Sequence, residues 1–340
     1  MTGADIRALA RECGFELAGV AEAVPASDRE RYREWAAAGW AGEMRYLSDH
    51  RAALRDDPRN LLPSARAIIV AGKLYQTPWP HTTRFSGAER GWISRYAWGG
   101  DYHHVLRRGL ERLLARLAER TPPFESRICV DTAPLLERSY ARLAGLGWIG
   151  RNTCLINQGM GSWFFLGAAL VSLDLTPDTP PPDRCGTCTR CIDACPTAAL
   201  IPGKGLDARR CISYYTIELR SPIPEHERAS LGAHVFGCDI CQDVCPWNRR
   251  APFTLDPAFQ PAHFAPRLDR LAAIEESEFR EMFRDSPISR TRYRGFLRNV
   301  AIAMGNASDP HFRPALERLA AHPDPLIAEH AQWALARLDA

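Results

Sequence analysis

Residues 185–196 read CGTCTRCIDACP, four cysteines in twelve residues with a proline behind the last. As spacing, the run is Cys185-x2-Cys188-x2-Cys191-x3-Cys195-Pro196. This is the ferredoxin run for a [4Fe–4S] cluster, in which the last cysteine serves a second cluster. A partner run therefore belongs downstream, and Cys238-x2-Cys241-x3-Cys245-Pro246 stands there. It is one cysteine short, because Val235 occupies the first position. Cys211 is the only unassigned cysteine nearby and fills the gap. The spacing assigns Cys185, Cys188, Cys191 and Cys245 to one cluster. Cys195, Cys211, Cys238 and Cys241 go to the other. Structural zinc also takes paired C-x2-C spacings, but the doubled run with crossed ligands favours iron–sulfur. Two adjacent clusters conduct electrons without saying where those electrons go.

The chain has 340 residues, enough for two or three domains. At 46% hydrophobic and 24% charged it has the composition of a globular protein with a real core. Eight of its eleven cysteines lie between Cys185 and Cys245, which reads as metal binding in a reducing compartment rather than as disulfides. Cys13, Cys129 and Cys154 sit in apolar stretches as small hydrophobes. The N-terminus has no signal-peptide pattern, and no apolar run is long enough for a membrane helix. A cytoplasmic protein is expected. The formal charge of +3 does not by itself argue for nucleic acid.

Residues 1–175 alternate between helical and strand patterns, which predicts an α/β or α+β domain around a sheet. TPDTPPPD at 176–183 is a stiff, proline-rich linker. The cluster domain spans 184–255. From 256 to 340 helical patterns dominate, and their pairing suggests an all-α, HEAT-like region. Asp131 falls where a strand ends and a helix begins, the edge at which open α/β sheets hold ligands, although capping of that helix by Asp131 or Thr132 is the commoner use of such a position. In RYAWGGDYHH, 95–104, Asp101 is either a pocket residue or a helix cap. Five arginines between 281 and 300 face only Glu281 and Asp285. Arg290, Arg294 and Arg298 are spaced to share a helix face, which either meets phosphates or is simply solvated.

GEMRYL, SRYAWGGDYH, VDTAPLLERSYARLAGLGWIGRN, CGTCTRCIDACPTAAL, DARRCISYYTIEL, GCDICQDVCPWN and LRNVAIAMGN together resemble the epoxyqueuosine reductases, over roughly residues 3–338. The resemblance implies a cobalamin-binding domain like that of reductive dehalogenases, a ferredoxin-like domain with two [4Fe–4S] clusters, and the helical C-terminal region. It implies reduction of epoxyqueuosine to queuosine at the wobble position of tRNAs with GUN anticodons, with the anticodon stem-loop as partner. A low-potential electron donor is also implied, and a monomer suffices. By motif, Asp131 matches the proton-donor aspartate. Arg55, Tyr96, Asp131, Leu155, Ser213 and Tyr214 are implied near cobalamin, and Arg290, Arg294 and Arg298 on tRNA. Cobalamin enters only through the resemblance, since the D-x-H-x-x-G motif is missing from the sequence. An acid at Asp131 needs a raised pKa to hold its proton at neutral pH, which burial beside a corrin would give. A corrinoid reductase of a small substrate, or a non-catalytic electron carrier, are the competing readings.

Overall fold

The computed structural model describes residues 1–81, 84, 87–203 and 205–339. Its centre is a four-stranded sheet in the spatial order Leu17–Glu22, Ala67–Leu74, Phe164–Val171, Ser126–Cys129. All three pairings are antiparallel. The two middle strands are apolar on both faces, as a sheet covered on both sides requires. Ile69 and Ala169 pack with helices Gly3–Glu12 and Tyr102–Ala118, whereas Ile68, Val70 and Leu170 pack with Glu137–Leu143. The domain is therefore α+β. Gly19 is required where the sheet meets the end of the last helix, because a Cβ there would lie 1.9 Å from the Ala144 carbonyl oxygen.

The proline-rich segment is fastened down. Asp178 donates its N–H to the Val20 carbonyl at 2.8 Å, accepts from the Val20 N–H at 2.9 Å, and pairs with Arg7 at 2.7 Å.

From Asp256 onward the described residues form helices and 3-10 turns, with one isolated bridge from Arg267 to Arg90. Helices Arg292–Ala307 and Pro325–Leu338 approach closely, and a Cβ on Gly305 would lie 2.8 Å from Ala334 Cα. Their core is shared along the chain: Ile93, Ala97 and Trp98 from the first segment and Val235 and Phe236 from the cluster segment pack into it. A short parallel pairing of Trp92–Ile93 with His234–Phe236 ties the same two segments. The cores thus cross the boundaries at 175 and 255. Among the described residues no helix is long and apolar enough to cross a membrane.

Candidate active site

Two groups of thiols form beside the sheet. Cys185, Cys188, Cys191 and Cys245 stand together: burial, then negative charge at Cys185 and Cys245, pushes the Cys191 thiol up to about 11. Cys245 is raised by burial and by Cys185 and Cys188. Cys195, Cys211, Cys238 and Cys241 form the other group. Burial raises Cys238 most, with Cys211 and Cys195 adding to it. Backbone N–H groups point at the sulfurs: Ala199 at Cys195 at 3.3 Å, and Ile240, Ser213 and Trp247 at Cys238, Cys211 and Cys245. Thiolates gathered in this way repel one another. A bound cationic iron core would relieve that repulsion and deprotonate the thiols, and four thiols per group match the four ligands that a [4Fe–4S] cluster takes. Cys154 hydrogen-bonds Cys241, which places a further thiol beside the second group.

Asp239, between Cys238 and Cys241, fastens this group to the sheet domain. It accepts from the Ser94 hydroxyl and the Arg95 N–H, both at 2.6 Å. Burial raises its pKa to about 6, with the charge of Asp243 adding to the rise. Arg95 is itself buried, donates to the carbonyls of Thr77 and Trp79, and lies over the Trp98 ring.

Next to Ser94–Tyr96, across the Tyr96–Tyr102 contact, stands Asp131. The residue follows strand Ser126–Cys129 with φ +50°, a left-handed conformation that costs on the order of 1 kcal/mol for a non-glycine residue. Its N–H donates to Glu137 at 2.7 Å, so the first carboxylate of the next helix holds the turn. Asp131 does not cap that helix; the cap position is Leu136, with no side-chain bond. The Asp131 side chain keeps 44% of its exposure, yet burial acts strongly on it and on Glu137 beside it. The carboxyl is thus partly open to solvent, with protein packed around the rest of it.

His103 spans two carboxylates there. Its Nδ1 lies 2.7 Å from Asp101 Oδ1 and its Nε2 lies 3.3 Å from Asp131 Oδ2. Asp101 also caps helix Tyr102–Ala118 through the His103 N–H, so the capping reading of this residue holds. The two carboxylates, Asp101 foremost, raise the imidazole pKa to about 9. Burial raises Glu137 to about 8, with the charge of Asp131 adding to it. The expectation of a raised pKa at Asp131 is corrected. Burial does push it up, but the His103 hydrogen bond and charge and the Arg290 charge outweigh burial and hold it below the usual carboxylate value.

The other groups around Asp131 are aromatic and ionic. The Tyr102 ring stacks on Phe165 at 4.3 Å and 6°, and Tyr96 meets Tyr102 edge-on. Arg290 bonds Glu218 at 2.7 Å and the Tyr46 hydroxyl at 3.1 Å. Glu218 outweighs burial and keeps Arg290 charged, while burial pushes Tyr46 up to about 12. Glu218 ends the π-turn Tyr214–Glu218, which begins three residues after Cys211.

Of the residues implied near cobalamin, Tyr96 and Asp131 stand close to each other. Ser213 bonds the Cys211 sulfur. Tyr214 accepts the Glu43 N–H, Arg55 donates to the carbonyls of Tyr46 and Arg51, and Leu155 is 4% exposed in the sheet core. The arginines read as one phosphate-facing stripe are also corrected. Helix Arg292–Ala307 begins after Arg290, which turns toward Tyr46 and Asp131. Arg298 is fully buried and donates to the carbonyls of Tyr215, Leu219 and Ser221. Only Arg294 is on the surface, paired with Asp324 at 3.2 Å. Sequence reasoning passed over Tyr46, Glu137 and Glu218. GEMRYL and VDTAPLLE contain the first two, but no spacing marks their chemistry.

Residues 184–248 match the 4Fe–4S double cluster binding domain, and residues 55–132 match the family described as epoxyqueuosine reductase QueG, DUF1730. The epoxyqueuosine reductase of Xanthomonas campestris is 42% identical over 339 residues, covering 98% of this chain and 95% of that protein. That of Escherichia coli is 38% identical over 331 residues, covering 96% and 86%. A crystal structure of an epoxyqueuosine reductase with an epoxyqueuosine-modified tRNA-Tyr stem loop superposes with a TM-score of 0.90 at 31% identity, covering 98% of this chain and 89% of that one. The Bacillus subtilis enzyme, captured with its catalytic aspartate loop swung out of the active site, gives 0.89 at 30% identity, covering 98% and 90%.

Proposed function

Because this chain belongs to the epoxyqueuosine reductases, we propose that the site around Asp131 reduces the epoxide of epoxyqueuosine at the wobble position of GUN-anticodon tRNAs to the alkene of queuosine. The reading rests chiefly on one observation: an accessible aspartate in a strained turn, bridged by His103 to a second carboxylate and fastened next to the two thiol groups. The enzyme is an oxidoreductase. We assign Cys185, Cys188, Cys191 and Cys245 to one [4Fe–4S] cluster and Cys195, Cys211, Cys238 and Cys241 to the other. Cobalamin would stand beside Asp131 against the aromatic side chains of Tyr96 and Tyr102, with Tyr96 and Ser213 as contacts. When bound, these groups supply low-potential electrons, singly from the clusters and as a pair from cobalt.

Opening the epoxide to an alkene consumes two electrons and two protons, and the oxygen leaves as water. The chain's own residues handle the first proton. His103 carries it at neutral pH, held between Asp101 and Asp131. It passes that proton by way of Asp131 to the oxygen as the C–O bond breaks, and the second proton, which completes the departing water, comes from solvent. The low pKa of resting Asp131 is thereby reconciled with an acid's role. Glu137 fixes the turn that aims Asp131. The C-terminal helices form a HEAT-like scaffold behind the cluster loops, and Arg294 is the surface arginine on it for the anticodon stem-loop. One chain supplies every residue named, so a monomer suffices, working in the cytoplasm.

The test is anaerobic reconstitution with iron, sulfide and cobalamin, followed by reduction in the presence of tRNA carrying epoxyqueuosine. Nucleoside mass spectrometry then reads the product. Loss of one oxygen mass supports the reading. An unchanged nucleoside, with cobalamin and both clusters bound, refutes it.

A further inference from the structure

The two thiol groups differ in their surroundings. Cys211, Cys238 and Cys241 lie against the buried π-turn and the Ser94–Tyr96 segment, on the side of Asp131. Cys185, Cys188 and Cys191 lie in a loop whose neighbours Arg184, Gly186, Thr187, Thr189 and Arg190 are all exposed. Cys245 of the same group leads into a tight turn, with the Arg249 N–H bonded to the Pro246 carbonyl, that ends in exposed Arg249 and Arg250. Arg151 reaches the loop from the sheet domain, donating to the Gly186 carbonyl at 2.7 Å.

Five arginines therefore surround the outer group. The nearby carboxylates are Asp183, which caps the Cys185 N–H, and Asp193, which accepts from Thr189. Asp243, two residues before Cys245, is buried against His81, so the exposed charges of these loops are five positive against two negative. Among the described residues Arg184, Arg190, Arg249 and Arg250 make no side-chain hydrogen bond or ion pair. Their heads are free to meet a partner.

We propose that this arginine-ringed face over Cys185–Cys191 is the docking surface for an acidic one-electron carrier protein of the flavodoxin class, which feeds the outer cluster. The inference rests on the cluster assignment made above. Two carriers dock in turn; each loses one electron to the outer group, and the pair matches the two that the epoxide consumes. A basic face steers an acidic partner, raising its association rate about 10–1000-fold at low salt. The tRNA is bound at Asp131, so both partners engage at once.

The experiment uses reconstituted full-length enzyme with both clusters verified by iron content. Bleaching of cluster absorbance is followed by stopped flow with reduced flavodoxin, at low and high salt. The variant is Arg184→Gln with Arg190→Gln, Arg249→Gln and Arg250→Gln. The expected result is a drop of about 10-fold or more in the second-order rate at low salt, with most of its salt dependence gone. Reduced methyl viologen, a small cation that needs no basic face, reduces wild type and variant alike and drives turnover in both. An unchanged flavodoxin rate and salt slope overturns the docking surface. Failure of viologen-driven turnover in wild type counts instead against the function proposed above. The matching Arg→Lys set guards against a damaged loop: it keeps the fast flavodoxin rate if charge is what matters, and loses it if the arginines only hold the cluster loop.

Discussion

His103 Nε2 stands 3.3 Å from Asp131 Oδ2, while its other ring nitrogen stands 2.7 Å from Asp101. One imidazole thus joins the cap of a helix to the acid, Asp131. The proton that a carboxylic acid would need to keep for itself is kept by its neighbour.

Activity therefore has an alkaline limb. With chemical reductant and saturating tRNA, kcat falls as pH passes about 9, where His103 loses its proton. His103→Gln cannot carry the charge, so its kcat is lower at neutral pH and the limb moves. A profile identical to wild type removes His103 from the proton path.

Asp131→Asn keeps the turn, the clusters and the bound cofactor but lacks the acid. Turnover falls by about 100-fold or more, the range typical of general acid catalysis. Cluster absorbance and tRNA affinity stay near wild type. Rapid turnover by this variant removes Asp131 from the chemistry.

Folding stability carries a matching signature. His103 titrates near 6.5 when unfolded and about 9 when folded, so its stabilisation is complete below 6.5 and lost as pH rises through 9. Glu137, raised from 4.5 to about 8, also binds its proton more tightly in the fold, and its contribution declines across that interval. Both slopes have the same sign. The Tm advantage of wild type over His103→Gln shrinks from pH 6 to pH 9.5 in a calorimeter, and a constant gap contradicts the paired geometry.

Cys211→Ala removes one of the four thiols assigned to the inner cluster. Iron and sulfide fall to about half of the wild-type content, and Cys154→Ala leaves them unchanged. Full iron in the first variant, or a half load in the second, reassigns the ligands.

Arg298→Ala leaves the carbonyls of Tyr215, Leu219 and Ser221 without their donor inside the protein. The cost is about 3 kcal/mol of stability, seen as a lower denaturation midpoint. The salt slope of tRNA binding by the folded variant is unchanged, because the residue faces no phosphate. A reduced slope reverses this assignment.

The strands and helices of the first segment are legible because their patterns are local. Ala67–Leu74 is apolar at every position but Lys73, and Tyr102–Ala118 repeats with the helical period. The cysteine spacing is legible because the ferredoxin loop that it marks is local in sequence. The antiparallel strand order is not, because it depends on distant pairings such as Val70 with Ala168. The four-residue spacing of Arg290, Arg294 and Arg298 is real, but the fold assigns the three to the surroundings of Asp131, a surface and a core. The sequence contains no sign that the carbonyls around Tyr215–Ser221 lack donors. Glu218 likewise acquires its role only when a chain turn seventy residues away brings Arg290 to it.

The π-turn from Tyr214 to Glu218 has a consequence for damage. Its near end follows the inner cluster's Cys211, and its far end anchors the arginine that faces Asp131. Oxidation that displaces Cys211 therefore reaches the Glu218–Arg290 pair, and with it one of the charges that hold the Asp131 carboxyl low.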